Sequence, residues 1–465
     1  MKNGKTILKT AYIVLALLIC LAPFACMTFA RTDENIENKR LKEFPELRTS
    51  EGLNVNFMSE LGDWFEDHFA FRELLVASDG KLQGLFGVSV AEGVIKGTGG
   101  WLYYTSSAPD HQRLNVFSDR AALNAANNLR LTQQYVRSQG ADFVLTIAPN
   151  KNSLYPEHMP YYYPAGSGES SAQKLAPLLK GYGVNYCDLF ELFRSKDETL
   201  YLMRDSHWNG RGALMAYNAI ADAAGIDHET YENAPVTRAK DEIGDLGKMA
   251  YSVFAEPEWN YHYDIGATYG YTTKTKSVED AMIVTENAGA EGTLLMFRDS
   301  FGNTLLPFFA QNSGKAVFVK TTPYLLDLYM GIHSPDTVIA EKVERNIADF
   351  AKAPPVFPAP EASSGPVSDK TVGSFTVSVE TAGYDTRFSS VSGVIETDME
   401  YDSVFVGAGG RLFEAFTVTA DDSDFGFLAY LPQDETDLTD ISVWISAGGH
   451  GYPLSAAMNT QEDAK

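Results

Sequence analysis

The sequence predicts an α/β domain built on a parallel sheet flanked by helices, preceded by a transmembrane helix and followed by a small all-β, sandwich-like module. Three observations predict it. Between about residues 119 and 351, short apolar runs alternate with stretches of helical periodicity, the pattern of crossover connections. Beyond residue 369 only short strand-like runs with Gly or Asp turns remain. Residues 11–30 carry no charge at all.

In chain order, Lys2, Lys5 and Lys9 precede the apolar run "AYIVLALLICLAPFACMTFA". About 20 apolar residues span a bilayer, and lysines on the short side orient it. The expectation is a cytoplasmic stub (1–10), an anchor (11–30) and all later domains outside a bacterial membrane. A cleaved signal peptide is the alternative, with Thr28 and Ala30 at a small-residue cleavage site. Residues 31–90 read as a stalk and helical lead-in, with Leu61, Trp64, Phe65, Phe69 and Phe71 near helical spacing.

Residues 91–351 read as the main domain. "GVIKGTGGWLYY" (93–104) is a tight turn between two short strands. A helix over 119–139 stops at Gly140, and "DFVLTIAP" (142–149) reads as a buried strand. A helix near Ala172–Leu179, the strand "VNYCDLF", a short strand "TLYLMR" and a helix over about Gly210–Ala224 follow. After a long irregular insertion, "GTLLMFRDSFG" gives strand then turn, "NTLLPFFAQN" a helix despite Pro307, and "KAVFVKTT" and "DTVIAEKVERN" two more strands. Sites on such sheets lie beyond the carboxyl ends of the strands. Residues 352–368 are rich in Pro, Ala and Ser and read as a linker, 369–458 as the β-module and 459–465 as a tail.

The net charge of −24 argues against a nucleic-acid partner, which needs a basic face. Of the three cysteines, Cys20 and Cys26 lie in the apolar run, so Cys187 has no intramolecular disulfide partner outside it. The other histidines lack ligand spacing, so neither a metal nor another cofactor is expected.

Two motifs carry chemistry. In "LLMFRDSFGN" an apolar strand ends and Ser300 falls on the turn that follows, where free N–H groups of a helical turn can hold an oxyanion. In "RDSHWNGRGA", Asp205 and His207 also lie between a strand-like run and a helix, which puts both motifs on one rim. A hydroxyl needs an adjacent base to act as a nucleophile. Ser300 is therefore the candidate nucleophile, His207 its base and Asp205 the group that fixes the imidazole tautomer. Lys151 and Tyr155 fall on the same rim, as ligand contacts or as parts of a loop shaped by Pro149 and Pro156. Arg298 is an oxyanion aid or a structural partner of Asp299; Trp208 is a wall of the site or a core aromatic; Asn303 is a further oxyanion candidate. Asn209 reads as a helix cap. Trp444, Tyr430 and Tyr452 are either a sugar-stacking face or sandwich core.

From "ENKRLKEFPEL" through "DWFEDHFAFRELL", "VIKGTGGWLYY", "APNKNSLYPEHMP", "DSHWNGRGA" and "RDSFGN" to "VERN", the chain resembles the SGNH-hydrolase-like proteins of the alginate O-acetylation type and the related bacterial DHHW family. The resemblance covers roughly residues 35 to 350. It implies a permuted SGNH fold with a Ser300–His207–Asp205 triad and an acyl-serine intermediate. Ser206 stands where the DHHW motif has its first histidine. The implied activity is O-acetylation of a cell-surface or exported polysaccharide, with a membrane-bound O-acyltransferase supplying the acyl group. The same triad with water as acceptor is a carbohydrate esterase. A decayed triad leaves a glycan-binding envelope scaffold.

Overall fold

The computed structural model describes residues 2–27, 42–49, 52–72, 74–75, 78, 93–251, 254–275, 277–362, 368–420, 423–433 and 436–457. The expected cleavage positions Thr28 and Ala30, parts of the stalk and the tail lie outside the described residues.

Lys2–Cys26 is one helix. The expected membrane anchor is nevertheless not supported: among the described residues no helix is long and apolar enough to cross a membrane. The first turns of this helix carry the lysines, which leaves residues 10–26 as its charge-free part. The single-pass topology and the extracytoplasmic placement that rested on that anchor lose its support.

Among the described residues the main sheet has seven strands: β1 (Asp142–Ala148), β2 (Tyr186–Cys187), β3 (Gly270–Tyr271), β4 (Met282–Glu286), β5 (Thr293–Phe297), β6 (Lys315–Val319) and β7 (Thr337–Val343). Their order is β2-β1-β7-β5-β6-β4-β3. The first five are parallel; β4 runs antiparallel to β6, and β3 antiparallel to β4. Alternate residues of each central strand enter opposite cores. Phe143, Leu145, Leu295, Phe297 and Val317 join one cluster, whereas Val144, Leu294, Met296, Ala316 and Phe318 join the other. Burial on both faces is why these strands read as unbroken apolar runs. Each large apolar side chain so buried contributes about 1.5–3 kcal/mol.

The helices α1 (Asp119–Ser138), α2 (Ser171–Gly181) and α3 (Gly210–Ala224) cover the sheet. Ser118 caps α1, and Ser170 with Gln173 closes a capping box on α2. Asn209 caps α3 by accepting the Arg211 and Gly212 N–H groups, and α3 ends at Gly225 with φ of 67°. Pro307 enters the first turn of the helix Leu306–Gln311, where a missing N–H costs nothing.

Three expectations need correction. "VNYCDLF" supplies only the two residues of β2, because Asp188 accepts the Phe190 and Glu191 N–H groups and starts the helix Leu189–Arg194. "TLYLMR" forms no strand, only an isolated bridge between Tyr201 and Trp208. The insertion between α3 and β5 is ordered: it holds β3, β4, a helix (Asp245–Tyr251) and the hairpin Val236–Glu242 with Glu258–Tyr263. The hairpin is mostly solvent-facing, so it lacks the apolar alternation that marks a half-buried strand.

The C-terminal module is β-rich. Among the described residues its nine strands are linked by hydrogen bonds into one sheet. Arg411–Ala420 pairs through its first half with Ser403–Ala408 and through its second half with Ser423–Pro432, which joins the two sides. The Pro-rich segment before it is packed: Val356 and Phe357 are buried, and Phe357 stacks on Tyr135 of α1 at 4.4 Å. The buried Asn128 amide of α1 donates to the carbonyls of Phe350 and Thr417, both at 2.9 Å, and fastens the module to the α/β part.

Candidate active site

The parallel register brings three segments to one rim. β5 and β7 pair Phe297 with Ala340, and β7 and β1 pair Val343 with Ala148. Arg298–Ser300, Asn150–Lys151 and Glu344–Arg345 therefore all leave the sheet at its carboxyl edge. The turn after β5 is tightened by Asp299, whose carboxylate accepts the N–H groups of Phe301 (2.9 Å) and Val343 (2.7 Å). At Gly302 a Cβ would lie 2.6 Å from the Arg298 Cβ, so the close return of the turn over Arg298 requires glycine.

A continuous hydrogen-bonded chain crosses the rim. The Ser300 hydroxyl lies 2.8 Å from His207 Nε2, and His207 Nδ1 lies 2.6 Å from Asp205 Oδ1. The His207 backbone N–H also donates to Asp205 Oδ1 at 2.9 Å, and the Asp245 N–H donates to Asp205 Oδ2 at 2.8 Å. Burial works to raise the Asp205 carboxyl, but His207 and these N–H donors hold it below the ordinary range. Burial likewise works against charge on His207; the carboxylates of Asp205 and Asp245 outweigh it and raise the imidazole above its ordinary value. Phe301, fully buried, packs on the imidazole at 4.7 Å and on Trp208 at 4.9 Å. Among the described residues the Ser300 backbone N–H has no protein acceptor.

The remaining candidates serve the framework. Lys151 does not face a ligand: it is buried, and its ammonium donates to the carbonyls of Leu202 (3.1 Å), Met203 (3.0 Å) and Asp205 (2.5 Å). Burial brings its pKa down to about 8. The Tyr155 hydroxyl accepts the Leu200 N–H at 2.8 Å, which turns it to the same loop from below. Trp208 is a core aromatic whose indole N–H donates to Thr304 Oγ1 at 2.5 Å. Arg298 reaches Asn303 and the carbonyls of Val278 and Asp280 rather than the Asp299 carboxylate. Asn303 is held between Arg298 and Glu279, so its amide is not aimed at Ser300. In the β-module Tyr430 is buried against Phe388 and Phe416, which removes it from a surface shared with Trp444.

Sequence reasoning missed Asp245, Glu258 and Arg345. Glu258 accepts the N–H groups of Met203 (2.7 Å) and Arg204 (2.9 Å) and braces the loop that carries Asp205. Arg345 lies over the rings of Tyr104 and Phe301, at 5.3 and 5.9 Å. The only local signal for Asp245 was the pair of glycines around it in "IGDLG": a Cβ on Gly244 would lie 2.3 Å from the Arg204 carbonyl oxygen. Asp205, His207 and Asp245 bring ligand-type atoms within 4.8 Å of one another, yet each of these carboxylates already accepts N–H or O–H donors.

Beside the loop lies a cleft of about 540 Å³, lined by Trp101, His158, Met203, Arg238, Trp259 and Tyr261 among others. Arg238 pairs across the hairpin with Tyr261, and Lys240 with Trp259, so two cations and two aromatic rings share one face.

Residues 94–290 match the family described as SGNH hydrolase-like domain, acetyltransferase AlgX. That span contains Asp205 and His207 and ends before Ser300. A curated relative from Pseudomonas aeruginosa, named "Probable alginate O-acetylase AlgJ", is 32% identical over 126 residues, which is 26% of this chain and 30% of that protein. The AlgJ of Pseudomonas syringae is 30% identical over 146 residues, 30% of this chain and 36% of its own length. The chain thus spans about a third of the curated relatives it matches. The solved structure of PatB1 from Bacillus cereus is 17% identical, with a TM-score of 0.45, and covers 55% of this chain and 98% of its own. Residues 94–290 of the α/β part are thus similar to an SGNH hydrolase-like domain, the family that the motifs resemble, and the α/β part is joined to a C-terminal β-rich module.

Proposed function

We propose that residues 91–351 form the catalytic unit of an O-acetyltransferase that modifies a polysaccharide through Ser300, His207 and Asp205. The observation that carries this reading is the unbroken hydrogen-bonded chain from Asp205 through His207 to the Ser300 hydroxyl. In the first step Ser300 Oγ attacks the acyl carbonyl carbon while its proton passes to His207 Nε2. The Ser300 N–H and the turn after it stabilise the oxyanion, and His207 returns the proton to the departing group. In the second step a sugar hydroxyl gives its proton to His207 and attacks the acyl-serine, releasing the acetylated sugar and free Ser300. A separate membrane-bound acyltransferase is the proposed source of the acyl group.

The aromatic and cationic cleft supports a sugar as acceptor, because rings stack on sugar faces and Met203 in its wall is only two residues from Asp205. Trp259, half exposed, is its most accessible ring. Trp259→Ala is expected to raise KM for an oligosaccharide acceptor about five- to tenfold, with kcat little changed, in steady-state transfer assays; this corresponds to about 1 kcal/mol of stacking. Incubation with an activated acetyl ester and candidate oligosaccharides tests the reading as a whole. O-acetylated sugar in the mass spectrum supports transfer. Free acetate alone, whatever the acceptor, would make the protein an esterase.

A further inference from the structure

Resting on that reading, we infer that Asp245 is a second carboxylate partner of His207, held in place by Ser206, and that it is a positioning residue for acyl transfer. Ser206 is the point at which this chain departs from the motif it resembles. Its hydroxyl donates to Asp245 Oδ2 at 2.5 Å, and its backbone N–H donates to Asp245 Oδ1 at 2.7 Å. The clamped carboxylate then lies 3.8 Å from His207 Nδ1, on the atom already bonded to Asp205. The contact is reciprocal, since the Asp245 N–H donates to the second oxygen of Asp205. The backbone reinforces it: the Gly247 N–H donates to the Arg204 carbonyl at 2.8 Å, and Gly244 permits the close approach. Asp245 therefore belongs to an insertion segment closed over the loop that carries the base.

The charged groups around the imidazole have defined roles. Asp205 lies on its own loop, and Asp245 comes from the segment across it. Lys151 lies beneath the loop with its N–H groups bonded to carbonyls, and Glu258 accepts backbone N–H groups beside it. Arg345, beyond β7, is the cation that opposes charging of the ring, and Glu279, bonded to Lys320 and Asn303, is a further carboxylate that interacts with it. A second negative charge near Nδ1 favours the imidazolium that forms when Ser300 gives up its proton. It also makes the neutral imidazole a stronger base, so that the acid limb of the pH–rate profile lies at higher pH than Asp205 alone would set.

The test is Asp245→Asn, with wild type and Ser206→Ala alongside. Two readouts are used: the pH profile of kcat/KM on an activated ester, and the ¹⁵N NMR titration of the His207 ring. Loss of the Asp245 charge should lower the ring pKa. The acid limb should then move about half a pH unit or more to lower pH, and the plateau should fall about three- to tenfold. Ser206→Ala, which removes the hydroxyl from Asp245 Oδ2 but leaves the backbone N–H groups on Oδ1, should move both readouts the same way by a smaller amount. Asp245→Glu should restore part of the shift, which a merely structural role would not do. An Asp245→Asn protein that melts as wild type does and keeps the wild-type titration would overturn the inference. Should that variant not fold, an unchanged titration in Ser206→Ala does so instead. The NMR arm needs no turnover, so it separates failure of this inference from failure of the acyl-transfer reading.

Discussion

Ser300→Ala is expected to lower acyl transfer by about three to six orders of magnitude while leaving the protein folded. The substitution removes the hydroxyl that, among the described residues, is bonded to His207 Nε2. It leaves the strand, the Asp299-capped turn and the Phe301 packing untouched, since none of them uses the Ser300 side chain. Its unfolding midpoint in urea should lie close to that of wild type, with the difference in free energy within about 1 kcal/mol. His207→Ala should cost a similar factor, and the double variant little more than either single one, because the two groups act in one proton transfer. Ester turnover by Ser300→Ala at the wild-type rate would remove this serine from the chemistry.

Lys151→Met should be the most damaging framework substitution. The buried ammonium satisfies three carbonyls of the loop that ends at Asp205 and His207. A thioether of similar length fills the volume but donates nothing. The Met203 carbonyl keeps the Leu102 N–H, but those of Leu202 and Asp205 lose their donor at about 1–3 kcal/mol each, so a loss of about 2–6 kcal/mol in urea unfolding is expected. The freed loop should also lower kcat by one to two orders of magnitude, roughly, because misplacement of the base by about an ångström is enough. A stable Lys151→Met protein with normal kcat would show that Glu258 and the Asp245 segment hold the loop unaided.

The two cases show what a linear sequence reveals. Ser300 was legible because β5 is an unbroken apolar run ended by a polar turn, and a strand buried on both faces announces its own end. Asp205 and His207 were legible because their partnership is local, two residues apart. The helix α3 was legible from its Asn209 cap and its Gly225 stop. Lys151 was placed on the correct rim, but its direction was not: whether a lysine points outward or under a loop depends on three carbonyls more than fifty residues away. Asp245 and Glu258 were hidden for a related reason. They lie in an exposed, polar insertion whose order comes from contacts with the loop that carries Asp205 and His207 rather than from apolar periodicity. The N-terminal run misled in the opposite sense: its composition suits a membrane, but the lysines lie within the helix itself and shorten its charge-free part.

Peptide mass mapping after brief exposure to an activated acetyl ester tests the central claim most directly. The account expects one acetyl group on the peptide containing Arg298–Asn303, fixed to Ser300, present in wild type and lost in both His207→Ala and Ser300→Ala. Acetyl transfer to a sugar by a protein that never carries the group on Ser300 would contradict it.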